Sequence, residues 1–214
     1  MARKRPKPNR DAKSSGRTPG GAAGRPVGLR IIGGRFRGRK LRYGGDPRVR
    51  PMKDRVREAI FNLVGPAIKG KRAVDLFAGT GALGLEALSR GAAQATLIEQ
   101  HFPTAAIIRE NVATLDVQQL TQIVTSSVFI WQKRDPSLGP TPCVVFCSPP
   151  YDFFVDRTEA MLGLIGGLMR AAPDKSIFVV ESDGRFDFEL LPDPDAWDVR
   201  TYAPAVVGIH TKNA

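Results

Sequence analysis

Apolar residues recur along the chain with two different periods, and together they predict a repeating strand–helix pattern. From residue 72 onward, short runs rich in Val, Ile, Leu and Ala are separated by longer segments with helical spacing. Five buried strands are predicted, at 73–78, 94–99, 122–125, 143–148 and 176–182. Two further runs, 197–202 and 205–212, can close the sheet as an antiparallel pair. Strands that alternate with helices form a mostly parallel sheet covered on both faces, so an α/β protein is expected.

Helical spacing appears between these strands and once before them. One predicted helix follows the glycine-rich stretch after the first strand and ends at Gly91. Two others cover 103–115 and 156–171. Another helix follows Pro51, where Val56, Ile60, Leu63 and Val64 form an apolar stripe. Arg55 and Arg57 lie outside that stripe, from where either could reach a phosphate or a cofactor carboxylate. An exposed charge without such a role is the alternative for both.

The chain before this helix has a different character. Residues 1–26 are Lys, Arg, Pro, Gly and Ser with almost no large apolar side chain, which predicts a disordered basic tail. Residues 27–50 alternate apolar and basic positions around a Gly-Gly turn signal, which predicts a short hairpin with one cationic face. Residues 51–214 form the α/β domain.

Charge is distributed unevenly along the chain. The net charge is +11, and 19 of the 32 Lys and Arg residues but only 3 of the 21 acidic residues lie in 1–57. This asymmetry favours a polyanionic partner, although a solvated tail without a target explains residues 1–25 equally well.

Three function classes are disfavoured by composition. The longest apolar stretch, 161–169, is too short to span a bilayer and contains three glycines, so no membrane association is expected. Cys143 and Cys147 are spaced as core residues of one strand, which suits a reducing, cytoplasmic compartment. Two cysteines and two scattered histidines lack ligand spacing, so no metal site is predicted.

A glycine-rich loop follows the first strand and opens a helix. It contains Gly79-x-Gly81-x-x-Gly84, and Glu99 ends the next strand twenty residues after Gly79. Such a loop makes a tight turn and lets a ligand approach the backbone, while the acid suits ribose hydroxyls. The pattern predicts a nucleoside-containing cofactor, with a plain turn between strand and helix as the alternative.

Asp75, within the first strand, favours S-adenosylmethionine over NAD. A carboxylate directed toward the ligand suits an ammonium and a sulfonium, and would repel a pyrophosphate.

The fourth strand ends in Ser148-Pro149-Pro150-Tyr151. Two consecutive prolines fix φ and remove two backbone donors, so neither strand nor helix continues there. Ligands of open α/β sheets lie at the carboxyl ends of the strands, which predicts a site here; a proline-stiffened loop is the alternative. The sequence resembles the [Asp/Asn/Ser]-Pro-Pro-[Tyr/Phe] motif of methyltransferases that act on exocyclic amino groups of bases. Ser148 Oγ and the Pro149 carbonyl can accept amino hydrogens, and Tyr151 offers a face for base stacking.

The chain as a whole resembles the RsmD-type 16S rRNA guanine-N2 methyltransferases over residues 28–212. The resemblance is carried by four blocks, namely RIIGGRFRGRKL (30–41), RPMKDRVREAIFN (50–62), DLFAGTGALGLEALSRGA (75–92) and VVFCSPPY (144–151). It implies a Rossmann-like class I methyltransferase with seven strands, the last antiparallel, and an N-terminal β-hairpin. It also implies methyl transfer from S-adenosylmethionine to N2 of the guanine at position 966 of small-subunit rRNA, by a protein expected to be a monomer.

The resemblance also assigns residues to roles. The guanine would be held by Ser148, Pro149, Pro150 and Tyr151. The cofactor would be held by Asp75, Phe77, Gly79, Gly81, Glu99, Gln100 and Ser127. The RNA backbone would be bound by Arg30, Arg35, Arg37, Arg39, Lys40, Arg50 and Arg55.

The sequence departs from the family pattern at three places. Ser148 stands where the family commonly has Asp, which puts a general base in doubt unless Asp152 substitutes. Met52 replaces a usual Thr, and Ser126 or Ser127, instead of an acid, would meet the adenine. Two other functions therefore stay open, a DNA N4-cytosine or N6-adenine methyltransferase and a catalytically weak RNA-binding assembly factor.

Overall fold

The computed structural model describes residues 28–45, 51–134 and 138–213, which form a seven-stranded sheet. The strands, β1 to β7 in chain order, are Arg72–Asp75, Gln94–Ile98, Thr121–Val124, Cys143–Cys147, Ile177–Asp183, Asp198–Tyr202 and Ala205–Thr211. They lie side by side in the order β3-β2-β1-β4-β5-β7-β6. Neighbouring strands among β1 to β5 are parallel, and β7 runs antiparallel to both β5 and β6. The predicted fold class is confirmed.

The helices match the sequence predictions in most places. They are α1 to α6 in chain order, Asp54–Val64, Ala82–Ser89, Phe102–Thr114, Val128–Arg134, Phe153–Asp156 and Thr158–Ala171. The predicted helix over 156–171 is divided, because Arg157 has a non-helical backbone with φ of −137°. Helix α4 was not predicted, since its seven residues are too few to establish a period.

Both faces of the sheet are covered. The sequence of β4 is continuously apolar because its side chains are buried on both of these faces. Val144 and Phe146 face the cluster formed with α1, α2 and α3, whereas Cys143, Val145 and Cys147 face the opposite cluster. All five side chains are buried, and the two cysteines are unpaired. A strand buried on both faces has no polar alternation to fix its register, so packing in the core must fix it.

The N-terminal segment, residues 28–45, folds back on itself against α2. Ile31 N donates to Arg39 O at 2.9 Å and Leu41 N to Leu29 O at 2.8 Å. Within this segment, strand pairing is limited to one antiparallel bridge, between Arg30 and Lys40, and a 3₁₀ turn occupies the middle. The chain therefore reverses as expected, but without regular hairpin strands.

Two predictions fall outside this description. The basic tail, 1–26, and residues 46–50, which include Arg50, lie outside the described residues. Within the described ranges, no helix is long and apolar enough to cross a bilayer.

Candidate active site

A cavity of about 830 Å³ opens at the edge where the parallel strands end. Strand order reverses between β1 and β4, so the loops that follow these strands diverge and leave a crevice. The wall includes segments that follow the first four strands, at 76–80, 98–101, 126–129 and 148–153. The glycine loop and the Ser148–Tyr151 turn therefore line one cavity.

The glycine loop has a backbone that other residues adopt only with strain. Gly79 and Gly81 have φ of 50° and 76°, in the left-handed region. Gly81 N donates to Ala78 O at 2.6 Å, which closes the turn before α2 begins. Gly79 lines the cavity, whereas a Cβ at Gly81 would lie 3.2 Å from Ile108, away from the cavity wall. Gly81 thus shapes the loop without forming its surface.

Asp75 lies beneath the loop instead of on the cavity wall. Its side chain is buried, and Oδ2 accepts the backbone N–H of Gly84 at 3.2 Å. Oδ1 has no hydrogen-bond partner among the described residues. Burial raises the pKa of Asp75 to about 7, although the Gly84 hydrogen bond opposes this shift. The carboxyl group therefore supports the start of α2, a different position from the expected one facing a ligand.

Glu99 closes the cavity beside the glycine loop. Its Oε2 accepts Gly79 N at 2.9 Å and its Oε1 accepts His101 N at 2.7 Å. This carboxylate thereby fixes both the loop and the start of α3. The other expected cofactor residues on the cavity wall are Phe77, Gln100 and Ser127, with Ser126 beside them.

The Ser148–Tyr151 turn ends β4 and leads directly into α5. Pro150 O accepts Phe153 N at 2.9 Å, and Tyr151 O accepts Phe154 N at 3.1 Å. The two prolines lack N–H groups, so β4 pairing stops, and their fixed φ holds the turn rigid. All four residues line the cavity.

Glu181, near the end of β5, was missed by sequence analysis. It lines the cavity, and its buried carboxylate accepts hydrogen bonds from Ser148 Oγ and, at 2.7 Å, from Tyr151 Oη. Burial raises the pKa of Glu181, while these two hydrogen bonds oppose the shift. An acid near the carboxyl end of a buried strand is the signal that could have found it, because β5 is the neighbour of β4.

Asp152 does not take the place of the acid missing at 148. Its exposed carboxylate is paired with Arg185 at 2.9 Å, and Arg185 also binds Asp183 at 2.8 Å. Glu181 instead brings a carboxylate to Ser148. Met52 lines the cavity and packs partly against the apolar core.

The two arginines of α1 differ from each other. Arg57 is fully buried, which contradicts its expected surface position, and it donates to Arg30 O at 2.6 Å and Asp54 Oδ1 at 2.9 Å. Arg55 is exposed, and its guanidinium donates to the carbonyls of Tyr202 and Ala203. Arg57 therefore belongs to the interior and Arg55 ties α1 to the β6–β7 turn.

The expected RNA-binding residues of the N-terminal segment are all exposed. Arg30 pairs with Asp54 at 3.1 Å, and Arg39 donates to Thr114 O at 2.8 Å. Arg35 lies over the Phe36 ring, 4.4 Å from its centroid. The remaining two are Arg37 and Lys40.

Comparison with known proteins identifies relatives along most of the chain. The family model described as conserved hypothetical protein 95 matches residues 29–200. Ribosomal RNA small subunit methyltransferase D of Escherichia coli strain K12 is 44% identical over 166 residues, which cover 77% of this chain and 79% of the relative. The putative rRNA methyltransferase YlbH of Bacillus subtilis is 31% identical over 86% of this chain and 99% of its own length.

Solved structures agree with these sequence matches. A structure titled putative methyltransferase yhhF from Escherichia coli superposes with a TM-score of 0.72 at 33% identity, covering 87% of this chain and 99% of that one. The family model extends over the first five strands, the start of β6, the glycine loop and the Ser148–Tyr151 turn. The chain therefore belongs to the conserved hypothetical protein 95 family and is an RsmD-type methyltransferase, as its sequence blocks indicated.

Proposed function

We propose that this protein transfers a methyl group from S-adenosylmethionine to the exocyclic N2 amino group of a guanine in 16S rRNA, at position 966. The observation that carries the proposal is the shared cavity, in which a glycine loop and a Ser-Pro-Pro-Tyr turn face the same space. Methyl transfer needs donor and acceptor held at contact distance in one crevice. The names of the Escherichia coli and Bacillus subtilis relatives supply rRNA as the substrate class.

The cavity fits S-adenosylmethionine better than a dinucleotide. The Gly79 N–H, which a pyrophosphate would need, is already bonded to the Glu99 carboxylate. A carboxylate in that position attracts ribose hydroxyls and the positively charged cofactor, and repels phosphate. Glu99, Gly79, Phe77, Gln100 and Ser127 would hold the cofactor, while Asp75 and Gly81 would act by shaping the loop.

The rigid turn would prepare the guanine. When bound, the cofactor supplies a methyl group on a sulfonium leaving group. An exocyclic amino group is a weak nucleophile, because its lone pair is delocalised into the ring. Ser148 Oγ and the Pro149 carbonyl can accept its hydrogens and favour the pyramidal form. Tyr151 lines the same cavity and offers an aromatic face on which an extruded base can stack.

The N-terminal segment would bind the RNA backbone. Its exposed Arg and Lys side chains attract phosphates, which gives affinity and position without sequence information. Arg37 and Lys40 are the best candidates, because Arg30 and Arg39 also make contacts within the chain. Because phosphate contacts carry no sequence information, selection of guanine must come from the cavity.

We also infer a monomer that works in the cytoplasm, where rRNA and unpaired cysteines both occur.

Transfer of labelled methyl groups to purified small subunits that lack the modification tests this function. The expected result is one N2-methylguanine at position 966, mapped by mass spectrometry. Methylated cytosine or adenine in a DNA substrate would instead support the DNA methyltransferase. Cofactor binding in calorimetry with no transfer to any substrate would support an assembly factor, an alternative that Ser148 in place of an acid motivates.

A further inference from the structure

Glu181 contacts both hydroxyl groups of the turn that is expected to hold the base. Oε2 accepts the hydrogen of Ser148 Oγ, and Oε1 accepts that of Tyr151 Oη at 2.7 Å. The carboxylate is buried behind these hydroxyls, but it still lines the cavity. One side chain on β5 therefore determines the orientation of two side chains that follow β4.

The direction of these hydrogen bonds determines whether Ser148 Oγ donates a hydrogen bond to a ligand or accepts one. An ionised carboxylate has only acceptor atoms, and a serine hydroxyl has only one hydrogen. Since that hydrogen is directed to Glu181, Ser148 Oγ presents lone pairs to the cavity. An amino group, which carries hydrogens, is the kind of ligand that such an oxygen accepts. A serine without this neighbour would rotate and could donate instead.

We propose that Glu181 is a positioning residue for methyl transfer, which makes Ser148 Oγ an acceptor for the guanine N2 amino group and takes the proton that this hydroxyl passes on. The proposal rests on the proposed function. It explains how a serine can stand where the family commonly has an acid: the carboxylate is present, but it comes from the neighbouring strand.

The proton transfer balances without any further reactant. As the N2–carbon bond forms, the electrons of the carbon–sulfur bond leave with the sulfur. One N2 hydrogen then moves as a proton to Ser148 Oγ, while the original hydroxyl proton moves to Glu181 Oε2. The carboxylate becomes a neutral acid, and it returns its proton to solvent through the cavity that it lines.

Lys53 also lines this cavity, and several charged groups near this end of β5 have partners. Asp183 and Asp152 share the guanidinium of Arg185, and Arg55 donates to carbonyls at the β6–β7 turn. Across β7, the residue paired with Glu181 is the apolar Val207. The titratable side chain in direct contact with Glu181 is Tyr151.

Moving the carboxylate from 181 to 148 tests the proposal. Glu181→Gln keeps the size of the side chain, but its amide can donate to Ser148 and reverse the hydroxyl. We expect the single-turnover rate to fall roughly 100-fold, within the range for general acid–base groups. Ser148→Asp alone places two carboxylates together and should also lower the rate. The double variant Ser148→Asp, Glu181→Gln should recover at least about tenfold over Glu181→Gln.

Three measurements distinguish a positioning role of Glu181 in methyl transfer from a purely structural role. Cofactor affinity in calorimetry should stay within about twofold in Glu181→Gln. The acidic limb of the pH–rate profile should be lost in this variant, because the titrating carboxyl is gone. Asp198→Asn, which removes an exposed acid on β6, is the matched control and should leave rate and profile unchanged. A Glu181→Gln rate near that of the unmodified protein, or a parallel loss of cofactor binding, would overturn the proposal.

A measurement without substrate keeps the test independent of the proposed function. The Glu181 carboxyl can be titrated by ¹³C NMR in the cofactor-free protein. Ser148→Ala and Tyr151→Phe each remove a donor, so each should raise the pKa of Glu181. An unmoved titration would refute the contact even if methyl transfer occurs. Normal titration shifts combined with no methyl transfer to guanine would refute the proposed function alone.

Discussion

The guanidinium of Arg57 lies against the carboxylate of Glu86 inside the protein, with Nε 3.8 Å from Oε2 and both side chains fully buried. Glu86 also accepts the backbone N–H groups of Ile32 and Gly33, each at 2.7 Å. A single carboxylate on α2 therefore connects α1 with the N-terminal segment. Because α2 begins at the glycine loop, this connection places the proposed RNA-binding segment directly on the helix that shapes the cofactor site.

Glu86→Gln should be strongly destabilising. The substitution leaves the buried Arg57 with Asp54 as its remaining ion-pair partner, and losing one partner of a buried pair costs about 3–5 kcal/mol. The N-terminal segment should also become more sensitive to trypsin. Urea denaturation measures the free energy of unfolding. The control is Glu110→Gln, which removes an exposed pair with Arg42 and should cost less than about 1 kcal/mol. Equal losses in both variants would contradict the role of Glu86.

Asp75 predicts an unusual pH dependence of stability. Its pKa is raised to about 7 by burial, so between about pH 4 and 7 the folded state binds more protons than the unfolded state. The free energy of unfolding should therefore fall as the pH rises through this range. In Asp75→Asn this contribution is absent, while the amide oxygen can still accept the Gly84 N–H.

Unfolding of the cofactor-free protein at about pH 5 and about pH 8 measures this effect. The unmodified protein should lose more stability over this interval than Asp75→Asn, by up to about 3 kcal/mol. Parallel stability curves for the two proteins would show that Asp75 titrates normally. Replacement of Asp198, an exposed acid on β6, is the control and should leave the pH dependence intact.

Gly84 is required by close packing of α2 on β2. A Cβ at this position would lie 2.0 Å from Leu97 Cδ2, so either the leucine or the helix must move. Gly84→Ala should cost about 1–3 kcal/mol by overpacking and should weaken cofactor binding, because α2 sets the glycine loop. Gly163→Ala in α6 is the matched control, since nothing lies within 4 Å of its Cβ position. It should stabilise the protein by about 0.5–1 kcal/mol, as measured by thermal unfolding.

The sequence predicts the sheet and the cavity better than it predicts the contacts between distant segments. Period and turn residues are local signals, so the strands, the glycine loop and the proline turn were found where they lie. Arg57 was expected on the surface because its partner Glu86 lies far along the chain, on another helix. Glu181 carries a local signal, an acid near the end of a buried strand, but its contacts were missed for the same reason, since the donors Ser148 and Tyr151 lie far along the chain.

The N-terminal segment shows another limit of local patterns. The Gly33-Gly34 pair was interpreted as a hairpin turn. In the structure, a Cβ at Gly34 would lie 1.9 Å from Ser89 O, and one at Gly33 would lie 2.5 Å from the Arg90 guanidinium. These glycines therefore permit close approach to the end of α2, and the segment is held by that packing instead of by strand pairing.

Tyr151 should contribute to turnover more than to cofactor affinity. Tyr151→Ala removes the proposed stacking face, worth about 1–3 kcal/mol per base. The rate of methyl transfer should fall at least tenfold, while calorimetry should show little change in cofactor affinity. Tyr151→Phe keeps the ring but removes the hydrogen bond to Glu181, so it should have an intermediate effect. Loss of cofactor binding in parallel with rate would refute the assignment of Tyr151 to the base.

The exposed cations of the N-terminal segment should determine how salt affects RNA binding. Each neutralised phosphate releases condensed counterions, so the slope of log K against log salt becomes shallower by about 0.7–0.9 for every phosphate that is no longer bound. Replacing both Arg37 and Lys40 by Ala should reduce the slope by about 1.5 and weaken rRNA binding without changing cofactor affinity. The control is Arg200→Ala on β6, where the guanidinium is paired with Asp198 at 2.9 Å and contributes little to the field around it. Filter binding between roughly 50 and 200 mM salt measures both slopes. An unchanged slope in the double variant would place the RNA-binding surface elsewhere, and an equal change in the control would indicate a general charge effect instead of a binding segment.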